Sequence, residues 1–317
     1  MRALLWLAVL SAAVAVGPQS ASAFRAEVLE SVVSVLPKWP GHEQGGRPQL
    51  PPGAAPEGTA VAIRPGGYLV TALHVVDRAD AITVRLPDGR HTPATLIARD
   101  PPTDLAVLKT DADLPVPEDA PAPALGQAVC AVGNQFGLGL SVTCGVVSAV
   151  HRTGTGFNPI EDFVQTDAVV NPGASGGALV DGEGRLVGML SAIFTKDSDA
   201  DIGVNFAAST ALLRRVAGDL IAHGRVRRAR SGLRVADLER AARADLAGAR
   251  IVALAPGGAA ERAGLAVGDV VTRVGTRTIR RASDVVSALA LARPGDRVAV
   301  TVIRDGAPAD FDLALPP

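Results

Sequence analysis

Cysteine is almost missing from this chain: among 317 residues there are two, Cys130 and Cys144, which leaves room for one disulfide at most. Aromatic residues are scarce at 3%, whereas there are 34 glycines and 23 prolines. A core built from small side chains, with short strands and many turns, fits that balance. Charge of either sign is not in excess. The formal net charge of -1 excludes a nucleic-acid binder by bulk electrostatics, and 48% hydrophobic residues exclude a disordered chain. Histidine occurs five times, and the spacing of those residues gives no metal site. No apolar run beyond the N-terminus is long enough to span a membrane, which takes about 20 residues.

The N-terminus is different. Met1-Arg2 precedes an apolar run from Ala3 to about Val16, and Ala21-Ser22-Ala23 gives a small-x-small ending. A positive start, a short apolar centre and such an ending are the parts of a secretory signal peptide. The alternative is a membrane anchor, for which the run is short. Residues 1–23 are therefore expected to be removed, leaving a secreted protein without a membrane span, periplasmic in a Gram-negative cell.

Past the cleavage point, Phe24 to Leu36 reads as a short helix leading into a strand at Ser31–Val35, and 37–56 reads as an exposed loop rich in Pro and Gly. From Gly58 onward short apolar segments alternate with turns: Thr59–Arg64, Tyr68–Thr71, Ala81–Leu86, Ala94–Ala98, Leu105–Lys109, Ala128–Val132 and Val142–Val150. That spacing predicts a barrel or sandwich. Near residue 210 the period becomes helical, with Leu212-Leu213, Val216 and Leu220-Ile221 forming a stripe. The basic run 225–230 reads as a solvated connector, and 231–317 is long enough for a small second domain.

Asn171-Pro172-Gly173-Ala174-Ser175-Gly176-Gly177 is the most informative segment. A serine among glycines can sit on a tight turn with backbone N–H groups exposed around it, which gives a nucleophile and an oxyanion site together. The same letters match the nucleophile elbow of α/β-hydrolases, but that motif needs a helix after the serine and a later histidine. Here a hairpin pattern follows, Ala178–Val180 and Arg185–Leu190 around Asp181-Gly182-Glu183-Gly184, and the later His223 lies on a helix or connector. Upstream, His74 follows the strand Tyr68–Thr71, and Asp104 heads the strand Leu105–Lys109. The order His, Asp, Ser is the one in which a neutral imidazole takes the serine proton and a carboxylate orients the ring. His42, His91, His151 and His223 read as structural or solvent-exposed.

Gly67-Tyr68-Leu69-Val70-Thr71-x-x-His74-Val75-Val76, Thr103–Lys109, Gly133–Gly139 and Gln165–Gly177 together resemble the protease domain of the HtrA/Deg family over residues 58 to 209. The resemblance implies a mostly β protein: a chymotrypsin-like double β-barrel with the triad His74, Asp104, Ser175 between the barrels, and no cofactor or metal. It also implies an oxyanion hole from the N–H groups of Gly173 and Ser175. Two positions depart from the family: Ala174 stands where asparagine is usual, and Ala72-Leu73 where asparagines precede the histidine. The fold resemblance places the pocket base near Val169, with a wall along Leu190, Ser191, Ala192 and Ile193. That predicts an apolar pocket for Val, Ala or Ile, with Asp167 as the residue that would read Lys or Arg instead.

Residues 255–271, from Ala255-Pro256-Gly257-Gly258 to Gly268-Asp269-Val270-Val271, resemble bacterial PDZ domains. The expected division is signal peptide 1–23, protease domain 24–224, connector 225–230 and a small α+β PDZ domain 231–317. The PDZ order is strand Gly232–Val235, helix Asp237–Leu246, strand Arg250–Leu254, helix Ala259–Ala263, strand Val270–Val274, helix Ser283–Ala292 and a hairpin around Asp305-Gly306. Such domains add a C-terminal peptide as a strand, and the carboxylate loop is expected near Ser231-Gly232-Leu233. If Gly133 pairs with Ser141, Cys130 falls opposite Cys144 and a disulfide forms; a free pair is the alternative. By resemblance the chain is a serine endopeptidase for unfolded or damaged exported proteins and peptides, and family members often form trimers. The competing reading is a catalytically weak chaperone or peptide-binding scaffold.

Overall fold

The computed structural model describes residues 25–40, 57–195, 201–239 and 246–317, and for 192–195 and 201 the backbone alone. The expected signal peptide lies outside those residues, as does His42. Twelve strands in the first part close into two six-stranded barrels. The first contains β1 (Val32–Lys38), β2 (Gly58–Arg64), β3 (Tyr68–Ala72), β4 (Ala81–Arg85), β5 (His91–Asp100) and β6 (Leu105–Thr110). It closes through β1 and β4, with Val35 opposite Val84. The second contains β7 (Ala128–Gly133), β8 (Ser141–Arg152), β9 (Phe163–Thr166), β10 (Ala178–Asp181), β11 (Leu186–Thr195) and β12 (Asp201–Ser209), and closes through β7 and β10. The chain is therefore mostly β, as the short apolar segments predict.

Burial explains the sequence patterns. Strand β5 alternates outward and inward residues, and β8 does so over its first half, because one face of each meets solvent. Strand β2 is buried at every position before Arg64. It lies where the two barrels meet, so neither of its faces sees water. The stretch after the presumed cleavage site is a 3-10 turn, Ala26–Ser31, in place of the expected helix; β-branched Val32 and Val33 then open β1. Between the barrels and the C-terminal part runs α2 (Thr210–His223), after the single turn α1 (Leu73–Val76). Ser209 caps α2 by accepting from the Leu212 N–H, and Gly224 ends it in the left-handed region.

The C-terminal sheet has the order β13 (Leu233–Asp237), β14 (Ala249–Leu254), β15 (Val270–Val274), β17 (Arg297–Arg304), β18 (Ala307–Ala314), with β16 (Arg277–Thr278) on β15. Helices α3 (Ala259–Arg262) and α4 (Ala282–Ala290) complete it, and α4 packs on β13, β14 and β15. Asp305 and Gly306 both have positive φ, the geometry of a two-residue hairpin turn, so the Asp-Gly signal marks the β17–β18 turn. Asp237 ends β13 rather than starting a helix, and residues 240–245 of that expected helix lie outside the described residues.

The basic run exposes Arg225, Arg227 and Arg230 but is also tied to the barrels. The Arg228 guanidinium donates to Asp100 at 2.5 Å, the Arg227 N–H donates to Asp219 at 2.7 Å, and buried Arg215 donates to the Arg227 carbonyl. Buried carboxylates need cationic partners: the run supplies one to Asp100, while Asp219 is paired with Arg215 within α2. A second contact joins the two parts. Arg277 donates to Asp162, which is fully buried, and Thr153 on the β8–β9 loop meets Ser283 and Asp284 at the start of α4.

Candidate active site

Strand β3 delivers His74 one turn beyond its end, and the turn before β6 delivers Asp104. That turn is built locally: Pro101–Thr103 forms a 3-10 turn, the Thr103 hydroxyl donates to Asp100 at 2.6 Å, and Asp104 takes left-handed dihedrals. Aspartate tolerates that region better than most residues. The result aims its carboxylate at His74. Oδ1 accepts the His74 backbone N–H at 2.9 Å and Oδ2 lies 2.6 Å from Nδ1, while the Asp104 carbonyl accepts the Leu73 N–H at 2.8 Å. With Nδ1 donating to the carboxylate, Nε2 is left as an acceptor. The Asp104 side chain is 16% exposed and that of His74 49%, so the acid is sheltered and the base is open to solvent.

Ser175 sits on the turn before β10, and it shares a cleft of about 220 Å³ with His74. The turn is tight enough to demand glycine. Gly173 has φ +97°, and a Cβ there would lie 2.2 Å from the Asn134 carbonyl oxygen. Ala174, where the resemblance leads one to expect asparagine, is fully buried and its Cβ approaches Gly133. Its own amide donates to Asn171. Among the described residues, neither the Gly173 nor the Ser175 N–H is given to a protein acceptor. The Pro172 carbonyl is held by the Phe136 N–H at 2.7 Å. A trans peptide sets its N–H opposite its C=O, so this bond also directs the Gly173 N–H. Serine, imidazole, oriented carboxylate and two unpaired amides in one place can carry out acyl transfer.

The expected pocket needs correction. Val169 is 45% exposed and does not line the cleft; its neighbour Val170 is buried and does. Burial alternates from Ala168 to Val170, so a one-residue shift turns the side chain outward. Leu190 and Ser191 are buried and form the wall as expected, and Phe157 from the β8–β9 loop adds an apolar face that the sequence did not suggest. The side chains of Ala192 and Ile193 lie outside the described residues. Asp167 is exposed and accepts the Val146 N–H at 2.7 Å, so it faces β8 and not the cleft. Cys130 and Cys144 are bonded, in the Cys130–Cys144 register that pairing of Gly133 with Ser141 produces. His151, read as structural or exposed, lies 3.0 Å from buried Asp162 at the contact with Arg277. Burial alone raises the Asp162 carboxyl, but the His151 hydrogen bond and the Arg277 charge outweigh it and hold it below the usual range.

In the C-terminal part, Ser231 and Gly232 precede the edge strand β13, and Leu233 opens it. The Ser231 and Gly232 carbonyls accept from Ala260 and Ala255, so this turn is anchored to the start of α3. Among the described residues, no helix is long and apolar enough to cross a membrane.

Comparison with known proteins agrees with this geometry. Residues 58–189 match the trypsin-like peptidase domain family and residues 200–315 the PDZ domain family. The periplasmic pH-dependent serine endoprotease DegQ of Escherichia coli is 33% identical over 78% of this chain and 56% of its own length. A probable periplasmic serine endoprotease DegP-like of Brucella suis is 37% identical over 87% of this chain and 54% of its own. The chain thus spans little more than half the length of these curated relatives. The solved structure of the HtrA-type protease AlgW with a tripeptide is 35% identical, with TM-score 0.70, covering 92% of this chain and 94% of that one.

Proposed function

This chain belongs to the HtrA-type family of trypsin-like serine proteases, and on that footing we propose that it is a serine endopeptidase using Ser175, His74 and Asp104. The observation that carries the reading is the placement of Ser175 in one cleft with an imidazole whose Nδ1 is committed to a sheltered carboxylate. In this scheme Ser175 Oγ attacks the scissile carbonyl while its proton passes to His74 Nε2. The carbonyl oxygen becomes an oxyanion held by the N–H groups of Gly173 and Ser175. His74 then gives the proton to the leaving amine, and water repeats the sequence on the acyl-enzyme. Asp104 holds the ring tautomer and stabilises the imidazolium throughout.

The substrates proposed are unfolded or damaged exported proteins. The chain itself is placed in the periplasm, the location that its relatives' names give for them. An extended peptide suits the C-terminal part. Strand β13 is an edge with α4 packed beside it, a groove to which a substrate end can add a strand, with its carboxylate near Ser231, Gly232 and Leu233. Casein digestion by the purified protein and by Ser175→Ala tests the proposal. Cleavage by the parent alone is expected; equal cleavage by both would put the nucleophile elsewhere, and cleavage by neither would leave a peptide-binding scaffold as the better reading.

A further inference from the structure

The nucleophile turn belongs to the second barrel, yet two of its carbonyls, those of Gly173 and Ser175, are held by one residue of the first. Thr59, on β2, is fully buried. Its hydroxyl donates to the Gly173 carbonyl at 2.7 Å and accepts the Asn134 N–H at 2.9 Å. Its backbone N–H donates to the Ser175 carbonyl at 2.9 Å, and its own carbonyl accepts the Thr71 hydroxyl at 2.7 Å. Gly176 lies so close above it that a Cβ would stand 2.0 Å from the Thr59 carbonyl oxygen.

We propose that Thr59 is a positioning residue for the oxyanion-binding turn: its hydroxyl fixes the Gly173–Ala174 peptide, and with it the shape of the turn that presents the Gly173 and Ser175 N–H groups. Gly173 makes that support necessary. At φ +97° Gly173 has no Cβ to restrict rotation about its backbone bonds, so the flanking peptide planes must be fixed from outside. Phe136 N–H holds the plane before it through the Pro172 carbonyl, and Thr59 holds the plane after it. Asn134 in turn fixes the hydroxyl, since an oxygen that accepts one bond has its proton directed to the remaining partner. Without the hydroxyl, the Gly173 carbonyl is left buried and unpaired, a state that a half-turn of the peptide relieves. That half-turn would break the bond from the Ala174 N–H to Asn171 and let the turn that carries the Gly173 and Ser175 amides change shape. The inference rests on the oxyanion role proposed above for Gly173 and Ser175.

The test is steady-state cleavage of a short peptide by Thr59→Val, Thr59→Ser and Thr59→Cys, together with binding of a peptide boronate, which forms a tetrahedral adduct on the serine. Thr59→Val is expected to lower kcat roughly ten- to hundredfold with little change in KM, less than the ~10²–10³ lost when an oxyanion donor is removed outright. Boronate affinity falls by a similar factor. Thr59→Ser keeps the hydroxyl and restores the parent rate within about threefold, and Thr59→Cys, a weaker donor, falls between. A folded Thr59→Val with parental kcat and boronate affinity overturns the proposal. If that variant does not fold, equal rates for the Ser and Cys variants overturn it instead. A parent protein that neither cleaves peptide nor binds boronate would bring down the protease reading, and this inference with it.

Discussion

Asp104 spends both carboxylate oxygens on His74, one on the backbone and one on the ring, so its effect is to fix a tautomer and an orientation together. Asp104→Asn is therefore expected to lower kcat by roughly 10⁴-fold, because an amide favours the wrong imidazole tautomer. Combining it with His74→Ala adds little, since triad members act as a unit; peptide-hydrolysis rates of the two single variants and the double variant check this. Specificity is also set at this scale. The cleft has Val170, Leu190 and Phe157 as apolar walls and, among the described residues, no carboxylate other than the one behind His74. Cuts after Val, Ala or Ile are expected, and sequencing the fragments of a denatured protein would reveal them; cuts mainly after Lys or Arg would refute the apolar pocket. The triad was legible because each member lies in a short, self-contained segment next to a strand. Thr59 was not, because its partner Gly173 lies 114 positions away, and Val169 was misplaced because no pattern of two or three residues fixes which neighbour faces inward.

Two elements hold the site in place. The β7–β8 hairpin carries Asn134 and Phe136 in its loop, and the Cys130–Cys144 bridge closes it with a sequence separation of 14. Replacing both cysteines with alanine should cost about 3 kcal/mol of stability, the loop-closure figure for that length, measured as a shift in the denaturant midpoint. The β8–β9 loop is gathered by one side chain. Glu161 accepts the N–H groups of Thr155, Gly156, Phe157 and Asn158 and the Thr155 hydroxyl. Glu161→Ala should free Phe157 from the cleft wall and raise KM several-fold with a smaller effect on kcat; unchanged peptide kinetics would contradict that. The hairpin register was readable from the cysteine spacing. By contrast, β9 and β12 went unread, since β9 has four residues and β12 carries Asp201, Gly203 and Asn205 among its apolar positions. Closure of the barrel makes those segments strands, with Phe206 opposite Gln165.

Between its two parts, the chain is fastened by charge: the C-terminal sheet meets the barrels through Arg277 and Asp162. Asp162, buried beneath His151, Arg277 and Ser209, has its carboxyl held below the ordinary range near 3.9. A depressed carboxyl contributes stability that is present above the ordinary value and is lost as pH falls through the folded value. The contact should therefore hold across neutral pH and open only in acid below about pH 4. Asp162→Asn removes the charge at every pH, and small-angle scattering at neutral pH should show a larger radius of gyration for it than for the parent. Equal radii would mean that the Arg228–Asp100 and Thr153–Ser283 contacts suffice. The sequence showed a basic run and a domain break there, but not that the run is bound, because its acidic partners come from α2 and β5.

Ser175, on this reading, is a nucleophile made reactive by His74 and supported by an oxyanion hole. Intact-mass analysis after treatment with a fluorophosphonate reads all three at once, because the reagent reacts with an activated serine and leaves an adduct that occupies the hole. One adduct per chain is predicted, mapped to Ser175, absent from Ser175→Ala and greatly slowed in His74→Ala. A folded parent protein that takes no adduct, or one that carries it on another residue, would contradict the account.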